Sequence, residues 1–548
     1  VTAVASAADA PDAPTGGDVA GGPPASTTAG WTGGFNPWAI ALVVTMATFM
    51  EVLDTSIANV SLPHIAGSLS ASQDEATWVL TSYLVANAII LPISGWIASK
   101  VGRKRFYMSC VALFTVSSLL CGLAPSLGWL IFFRVLQGVG GGGLGPSEQS
   151  ILADTFAPAK RGMAFAVYGM AVVLAPAIGP TIGGYITDHF EWRWVFFINV
   201  PIGATSLLLA NHFVTDPPYL KGMKDKAGSI DYVGLSLIAL GLGTLEVVLD
   251  KGQEDDWFTS SFITAFTVIA AVSLVSFVVW ELRHESPVVD VRLFKGRTFA
   301  VSNIMMLVLG VSLFGTTVLL PQYMQGLMGY SAEDAGMALS PGGFVIMLLM
   351  PIVGALVSRV DPRKLIAFGF ILTSASLFYM ASHLHQGISF RTAVFLRMYQ
   401  SVGLAFLFVP INTLVFTDVP PEKTNAVSGI VNLSRNMGGD IGIAFITTFI
   451  ARRSQVHQSN LSSYTTHYSP PFESTLTAMS ATFEHTSMSA IDATHRATAA
   501  LYAQLVQSAT TLAYLDTLRV MAFATAFMIP ILLFAKKPKP GKVAPGGH

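Results

Sequence analysis

Hydrophobic residues in this chain gather into runs rather than alternating with polar ones. The runs are about twenty residues long, enough to cross a hydrocarbon layer as α-helices. They fall near 38–61, 77–98, 106–124, 129–152, 163–186, 194–213, 229–249, 258–281, 298–322, 334–357, 365–383, 391–416, 427–450 and 514–535. The pattern predicts an all-α polytopic membrane protein of about fourteen spans. Composition agrees: of 548 residues, 52% are hydrophobic and only 11% charged, whereas a soluble domain carries roughly 25% charged residues. A string of soluble domains is excluded.

The formal net charge of −1 gives no basic signal for nucleic acid, so the position of the charges matters more than their sum. With the chain starting inside the cell and alternating sides, 21 of the 31 Lys and Arg residues fall on the inner side. Seven fall on the outer side, counting Arg519 at the outer end of the last span, and three deeper within spans. An inner excess of this size is what the positive-inside rule expects, and it favours an even number of spans with both termini cytoplasmic. The first 36 residues are rich in Ala, Gly, Pro and Thr, and the first basic residue is Lys100. That stretch lacks the basic start of a signal peptide and is expected to be a disordered cytoplasmic tail. Cys110 and Cys121 share one apolar run, about 16 Å apart along a helix, too far for a disulfide.

An internal repeat organises the spans. Gly95-Trp-Ile-Ala-Ser-Lys-Val-Gly-Arg-Lys-Arg105 follows span two, and Gly354-Ala-Leu-Val-Ser-Arg-Val-Asp-Pro-Arg-Lys364 follows span ten. Phe133-Arg-Val-Leu-Gln137 in span four matches Leu396-Arg-Met-Tyr-Gln400 in span twelve, and Leu62-Pro63 matches Leu320-Pro321. The three offsets lie between 258 and 263 residues, in one order and on matching sides. Two parallel six-helix bundles are expected, residues 37–213 and 298–535, with residues 214–297 contributing two inserted linker helices. Residues 452–512 are expected to form a long periplasmic loop of the second bundle, and 536–548 a cytoplasmic tail. Paired bundles around a central cavity are the plan of rocking transporters.

On these residues the chain resembles the major facilitator superfamily, in its fourteen-span drug:proton antiporter branch. The loop containing Gly95, Lys100, Gly102, Arg103 and Lys104 resembles the signature loop of that superfamily, with Ser99 at its acidic position. Arg134 with Gln137 and Gly138 resembles the span-four arginine motif. Ala175-Pro176-Ala-Ile-Gly179-Pro180 with Gly183 and Gly184 resembles the antiporter motif of span five. Leu53-Asp-Thr-Ser-Ile-Ala-Asn-Val-Ser-Leu-Pro63 and Trp194-Val-Phe-Phe-Ile-Asn-Val-Pro-Ile-Gly203 resemble further motifs of the branch. The resemblance runs from about residue 38 to 535. It implies a major facilitator fold and a gate latch at the signature loop. It also implies docking to a periplasmic membrane-fusion adaptor that reaches an outer-membrane channel.

Ionisable groups at membrane depth are functional candidates by default. At 1.5 Å per residue, Asp54 on outward-running span one and Arg134 on inward-running span four reach similar depth in the outer half of the bilayer. They are expected to meet, either as a proton relay in which the arginine keeps the carboxylate ionised until a proton releases the pair, or as a structural tie. Glu51 lies one turn before Asp54 on the same face. It is a proton-exchange site, an attractor for cationic drugs or a water-facing carboxylate. Glu148 shares the stripe of Arg134 nearer the cytoplasm, where it either receives protons or ends the span at the interface, the second being favoured. In span thirteen Arg435 and Asp440 point about 140° apart, so they are not expected to pair. Arg435 has a structural role, and Asp440 is the second titrating candidate. Arg397 is the second-half counterpart of Arg134.

The run Gly138–Gly145 lacks a Gly-Lys-Ser/Thr ending and is no phosphate loop; close packing against spans one and five is expected. His383 and His385 lack Cys or carboxylate companions, so no metal and no cofactor are expected. In the outer segment, a polar Ser/Thr/His-rich stretch precedes an amphipathic helix over Ala490–Leu515, suited to a partner or to the membrane surface.

The leading expectation is proton-coupled efflux of hydrophobic or amphipathic drugs across a bacterial inner membrane. Its rival is a narrow exporter of a fatty acid or similar metabolite. A membrane-embedded enzyme would need clustered His, Asp or Cys at a membrane face, a pattern the sequence lacks. A non-transporting sensor is the remaining class.

Overall fold

Each apolar run becomes a helix because lipid offers no partner for a free backbone N–H or C=O. The computed structural model describes residues 34–217, 231–417, 419–466, 468–485 and 489–536. Most of the two expected tails, at 1–33 and 537–548, lies outside them, as do residues 218–230. The first six spans are α1 (Pro37–Ser68), α2 (Gln73–Val101), α3 (Arg103–Gly122), the pair α4 (Leu127–Gly141) and α5 (Leu144–Thr155), α6 (Arg161–His189), and the pair α7 (Trp194–Phe197) and α8 (Asn199–Phe213). Two inserted helices follow, α9 (Tyr232–Lys251) and α10 (Ser261–Arg283). The second six are α11 (Arg297–Met328), α12 (Ala332–Val357), α13 (Pro362–His383), α14 (Phe390–Val415), α15 (Thr424–Ser462) and α17 (Ala490–Ile531), with the short α16 (Pro470–Glu484) between the last two.

Thirteen of these, counting α4–α5 and α7–α8 as one span each, are long and apolar enough to cross a membrane. The fourteenth expected span, α15, is less apolar because Arg435, Asn436 and Asp440 interrupt it. It still lies buried between α11, α2 and α17.

The repeat is visible in helix starts as well as in motifs. Ser72 begins α2 and Ser331 begins α12, each with a reciprocal capping box, to Glu75 and to Asp334. Such a box satisfies two backbone donors that the first turn leaves open. Pro92 and Pro351 sit inside these two helices, and Pro63 and Pro321 inside α1 and α11. The halves meet along α2 against α15 and along α6 against α12, two contacts that the repeat makes equivalent.

Both described ends of the chain lie on one face, here termed the terminal face. The opposite face carries a helical hairpin. On the terminal side the hydrophobic core is continuous across the halves, joining Val44 and Phe165 to Met350, Phe408 and Val431. On the hairpin side it divides into one cluster of first-half residues and one of second-half residues. The molecule is therefore sealed near the terminal face and parted towards the hairpin face.

Two expectations need correction. In the glycine run, Gly145 faces Tyr168 of α6, in span five, as expected, but Gly138–Gly143 does not pack on spans one and five. Gly142–Gly143 separates α4 from α5, and Gly138, Gly140, Gly142 and Gly143 face Tyr83–Ile90 of α2 and Phe106–Phe114 of α3. Small residues let three helices approach there. The polar start of the outer segment is also helical rather than loop. α15 runs 39 residues and α17 42 residues, about 58 and 63 Å at 1.5 Å per residue, roughly twice a bilayer's hydrocarbon thickness. Their extensions pair through Arg453 and Asp516 at 2.5 Å, Gln458 and Tyr502 at 2.8 Å, and Ser454 and Thr510 at 3.0 Å. Cys110 and Cys121 are both free and buried.

Candidate functional site

Where the halves part, they enclose a cavity of about 1210 Å³ of atom-free space, counting the portion open to solvent. Its walls are mostly apolar, with Leu84, Leu91, Val172, Phe314, Leu433 and Met437 among them. Four acids and bases reach it from three helices: Glu51 of α1, Arg134 of α4, and Arg435 and Asp440 of α15. A fifth, Glu246, comes from inserted helix α9.

Behind the first-half wall lies a buried polar knot. Arg134 is fully buried and Asp54 is 1% exposed. Arg134 Nη1 donates to Asp54 Oδ2 at 2.6 Å and to Gln137 Oε1 at 2.8 Å, and its Nε donates to the Val79 carbonyl at 3.0 Å. The guanidinium also lies 4.3 Å from the Tyr83 ring centre, where the ring's negative face attracts the charge. Asp54 Oδ1 accepts from Asn199 at 2.6 Å and from Gln137 at 3.0 Å. Asn199 is held in turn by Ser118. Stripping two charges of water is expensive, and only good geometry with extra hydrogen bonds offsets it. Asp54 has both.

Glu51 faces the cavity and accepts from Tyr83 Oη at 3.0 Å and Asn87 Nδ2 at 3.2 Å. Tyr83 thus touches Arg134 with its ring and Glu51 with its hydroxyl. Glu148 does not sit at an interface. It is fully buried on α5 and accepts a hydrogen bond from Thr48 of α1. The break at Gly142–Gly143 sets α5 inward, so that all twelve of its residues are buried.

The second half repeats the arginine without its acid. Arg397 donates to Thr316 Oγ1 at 2.9 Å, to Gln400 at 2.8 Å and to Thr317 at 3.0 Å. Gln400 also reaches Thr316. Thr316 follows Asp54 by 262 residues, inside the offsets of the repeat, so a hydroxyl stands where the first half has a carboxylate. Arg435 and Asp440 do not pair. Arg435 Nη1 donates to Tyr168 Oη of the first half at 2.9 Å, and Asp440 has neither hydrogen bond nor ion pair among the described residues.

Polar contacts lock the halves towards the terminal face. Gln149 of α5 donates to Asn412 at 3.3 Å and accepts from Asn432 at 2.9 Å. Tyr168 donates to Asn432 at 2.9 Å, and Ser150 to Ser428 at 2.9 Å. In the signature loop, Gly95 marks the closest approach: a Cβ there would fall 2.7 Å from the Asn425 carbonyl. Gly102 joins α2 to α3 at φ +102°, which only glycine adopts freely. Arg103 pairs with Asp154 at 2.5 Å and Lys104 reaches the Asn211 carbonyl, both within the first half, while Lys100 lies over Trp96. Gly95 links the loop to the other half. In the antiporter motif Ser56 of α1 donates to the Pro176 carbonyl, and Gly179 and Gly183 let α1 cross closely. Pro180 packs near Gly336 of the second half, and Gly184 faces open space.

Two site residues escaped the sequence reasoning. Asn199 stood inside a quoted motif as a polar residue in an apolar span. Glu246 was a carboxylate within a predicted span, the same signal that singled out Asp54, but it lay outside the repeat.

The family model described as Major Facilitator Superfamily matches residues 44–443. The chain is 38% identical over 431 residues to the "Multidrug export protein EmrB" of Escherichia coli (strain K12), covering 79% of this chain and 83% of that one. It is 36% identical over 446 residues to the "Fatty acid resistance protein FarB" of Neisseria gonorrhoeae, covering 80% and 86%. Among solved structures, the proton:xylose symporter XylE shares the fold at a TM-score of 0.56 and 15% identity, over 92% of this chain and 96% of that one.

Asp54→Ala leaves Arg134 charged and buried, a loss worth about 3–5 kcal/mol when a buried pair is broken. Thermal unfolding of the purified protein should show a clearly lower midpoint for Asp54→Ala. The double variant Asp54→Ala/Arg134→Met should recover much of it. An unchanged midpoint in the single variant would mean that the pair does not hold span one to span four.

Proposed function

The chain belongs to the major facilitator superfamily, and we propose that it exports hydrophobic or amphipathic drugs from a bacterial cell in exchange for protons. One observation carries the proposal: a large, mostly apolar cavity where the halves part, lined by Arg134 of the buried Asp54–Arg134 pair. The cavity suits lipophilic cargo of varied shape, and the acid suits a proton. A proton entering the cell supplies about 2.3 kcal/mol per 100 mV of membrane potential, plus its concentration gradient. This is the work of a carrier rather than an enzyme.

Asp54, with Arg134, is the principal proton site. Glu51, Glu148 and Asp440 are the other acids on the proton's route, and Arg435 and Arg397 fix the second half. The excess of lysines and arginines on the terminal side supports a cytoplasmic terminal face and an outward-facing cavity, with the protein in the inner membrane. Protonation of Asp54 frees Arg134, whose ring contact with Tyr83 passes the change to Glu51 at the cavity wall. Glu51 faces the same space as Arg435, which is bonded through Tyr168 to the inter-half lock. Gly95 and the antiporter-motif contacts allow the halves to close and reopen. The helical hairpin on the outer face stands clear of the bilayer and is the docking site for a periplasmic adaptor leading to an outer-membrane channel.

A second reading, export of a fatty acid, is favoured by Arg435. This cationic side chain lines the cavity, and among the described residues its hydrogen-bond partners are neutral, Tyr168 and Asn436. The FarB relative is consistent with it.

Purified protein in sealed proteoliposomes with an imposed pH gradient should move a lipophilic dye in the direction opposite to protons. Asp54→Asn should insert normally and abolish that coupling; intact coupling in the variant would remove Asp54 from the mechanism. Oleate moved in place of the dye would establish the second reading. Removing the hairpin tip, residues 463–489, should leave liposome transport unaffected and lower whole-cell drug resistance. Equal resistance would reject adaptor docking there.

A further inference from the structure

The two inserted helices stand outside the repeat, and nothing in the rocking scheme requires them. Their placement gives them a task. Near the terminal face α2 and α15 touch directly, with Gly95 against Asn425 and Gly429 against the Leu91 carbonyl. Towards the hairpin face the two helices separate, and cavity-lining residues of both, Leu84 and Met437 among them, face the gap. Helix α9 covers it. On one side it is tied to α2, where Thr81 donates to Asp250 and Lys251 bonds Thr77 and the Asp74 carbonyl. On the other, Trp257, just past its end, donates to Thr448 of α15 at 3.0 Å. The inserted segment thus bridges the first half to the second beside the cavity.

One residue of α9 enters the cavity. Glu246 is 1% exposed, lines the space, and leaves Oε2 without a hydrogen-bond partner. Asp440 lines the same space from α15. Every basic group nearby is engaged elsewhere. Arg134 holds Asp54, Arg435 holds Tyr168 and Asn436, and Lys251 pairs with Glu254 at 2.7 Å. Asp250, the third acid of the area, is bonded to Thr81. Two carboxylates with no cation between them, in an apolar wall, are complementary to a cation that brings its own hydrophobic surface.

We infer that Glu246 of the inserted helix and Asp440 of the second half form a subsite for the positive centre of a lipophilic organic monocation. The inference rests on the export reading and narrows its cargo. The inserted helices are then part of the substrate site rather than a passive link. A charge-assisted contact in a poorly hydrated wall is worth roughly 10-fold to 100-fold in affinity. The neighbouring Leu84, Phe314 and Met437 supply the apolar contact.

The test uses the full-length protein in nanodiscs and two probes, the monocation tetraphenylphosphonium and the neutral N-phenyl-1-naphthylamine. The readout is the ratio of their affinities, which a merely structural role for Glu246 would not move. Glu246→Gln should lower the ratio of cation to neutral affinity at least about tenfold, Asp440→Asn should lower it similarly, and Glu246→Asp, which keeps the charge, should restore most of it. A ratio within twofold of the unaltered protein in both neutral variants would overturn the subsite and leave drug export standing. Unaltered protein that binds neither probe would overturn both.

Discussion

A charged pair sealed from water at the centre of a helical bundle constrains everything around it. Asp54 and Arg134 cannot separate without leaving a buried charge exposed to low dielectric, so helices α1 and α4 stay together while both are ionised. Gln137, Asn199 and the Val79 carbonyl add further hydrogen bonds on either side. A proton on Asp54 removes the reason for that arrangement.

The two halves share a backbone plan but not this constraint. In the second half Thr316 takes the place of the acid, and Arg397 is satisfied by hydroxyls and an amide. The buried acid–arginine pair therefore has no counterpart at the equivalent place in the second bundle. The route from that pair to the second half is short: Arg134 lies on Tyr83, Tyr83 bonds Glu51, and across the cavity Arg435 bonds Tyr168, which holds Asn432 and through it Gln149. The last members of that chain are the ones that close the terminal side. The divided hydrophobic core on the hairpin side shows the same asymmetry of closure in apolar terms.

Much of this was legible in the sequence, because a bilayer allows few solutions. Runs of apolar residues had to be helices, the repeat had to place them in two bundles, and depth along antiparallel helices brought Asp54 to Arg134. What was not legible depended on rotation about helix axes and on contacts between halves. Glycines 138–143 mark a close approach, but only the packing says that α2 and α3 are the neighbours. Glu148 looked interfacial by depth, yet the break before α5 turns it into the bundle against Thr48. The outer segment looked like loop because its polarity is high, while helices that leave the membrane need no apolar face all round. Glu246 lay in a helix without a repeat partner, so no symmetry argument pointed to it.

The central claim is that the charge state of Asp54 decides whether the terminal side is closed. The direct measurement is the distance between spin labels at Lys160→Cys and Arg359→Cys, exposed residues on that face in opposite halves, with Cys110 and Cys121 replaced by serine. With Asp54 ionised, the account predicts a single short distance. Acidification, or Asp54→Asn at neutral pH, should bring in a second and longer population. Identical distributions in the unaltered and Asp54→Asn proteins at both pH values would contradict it.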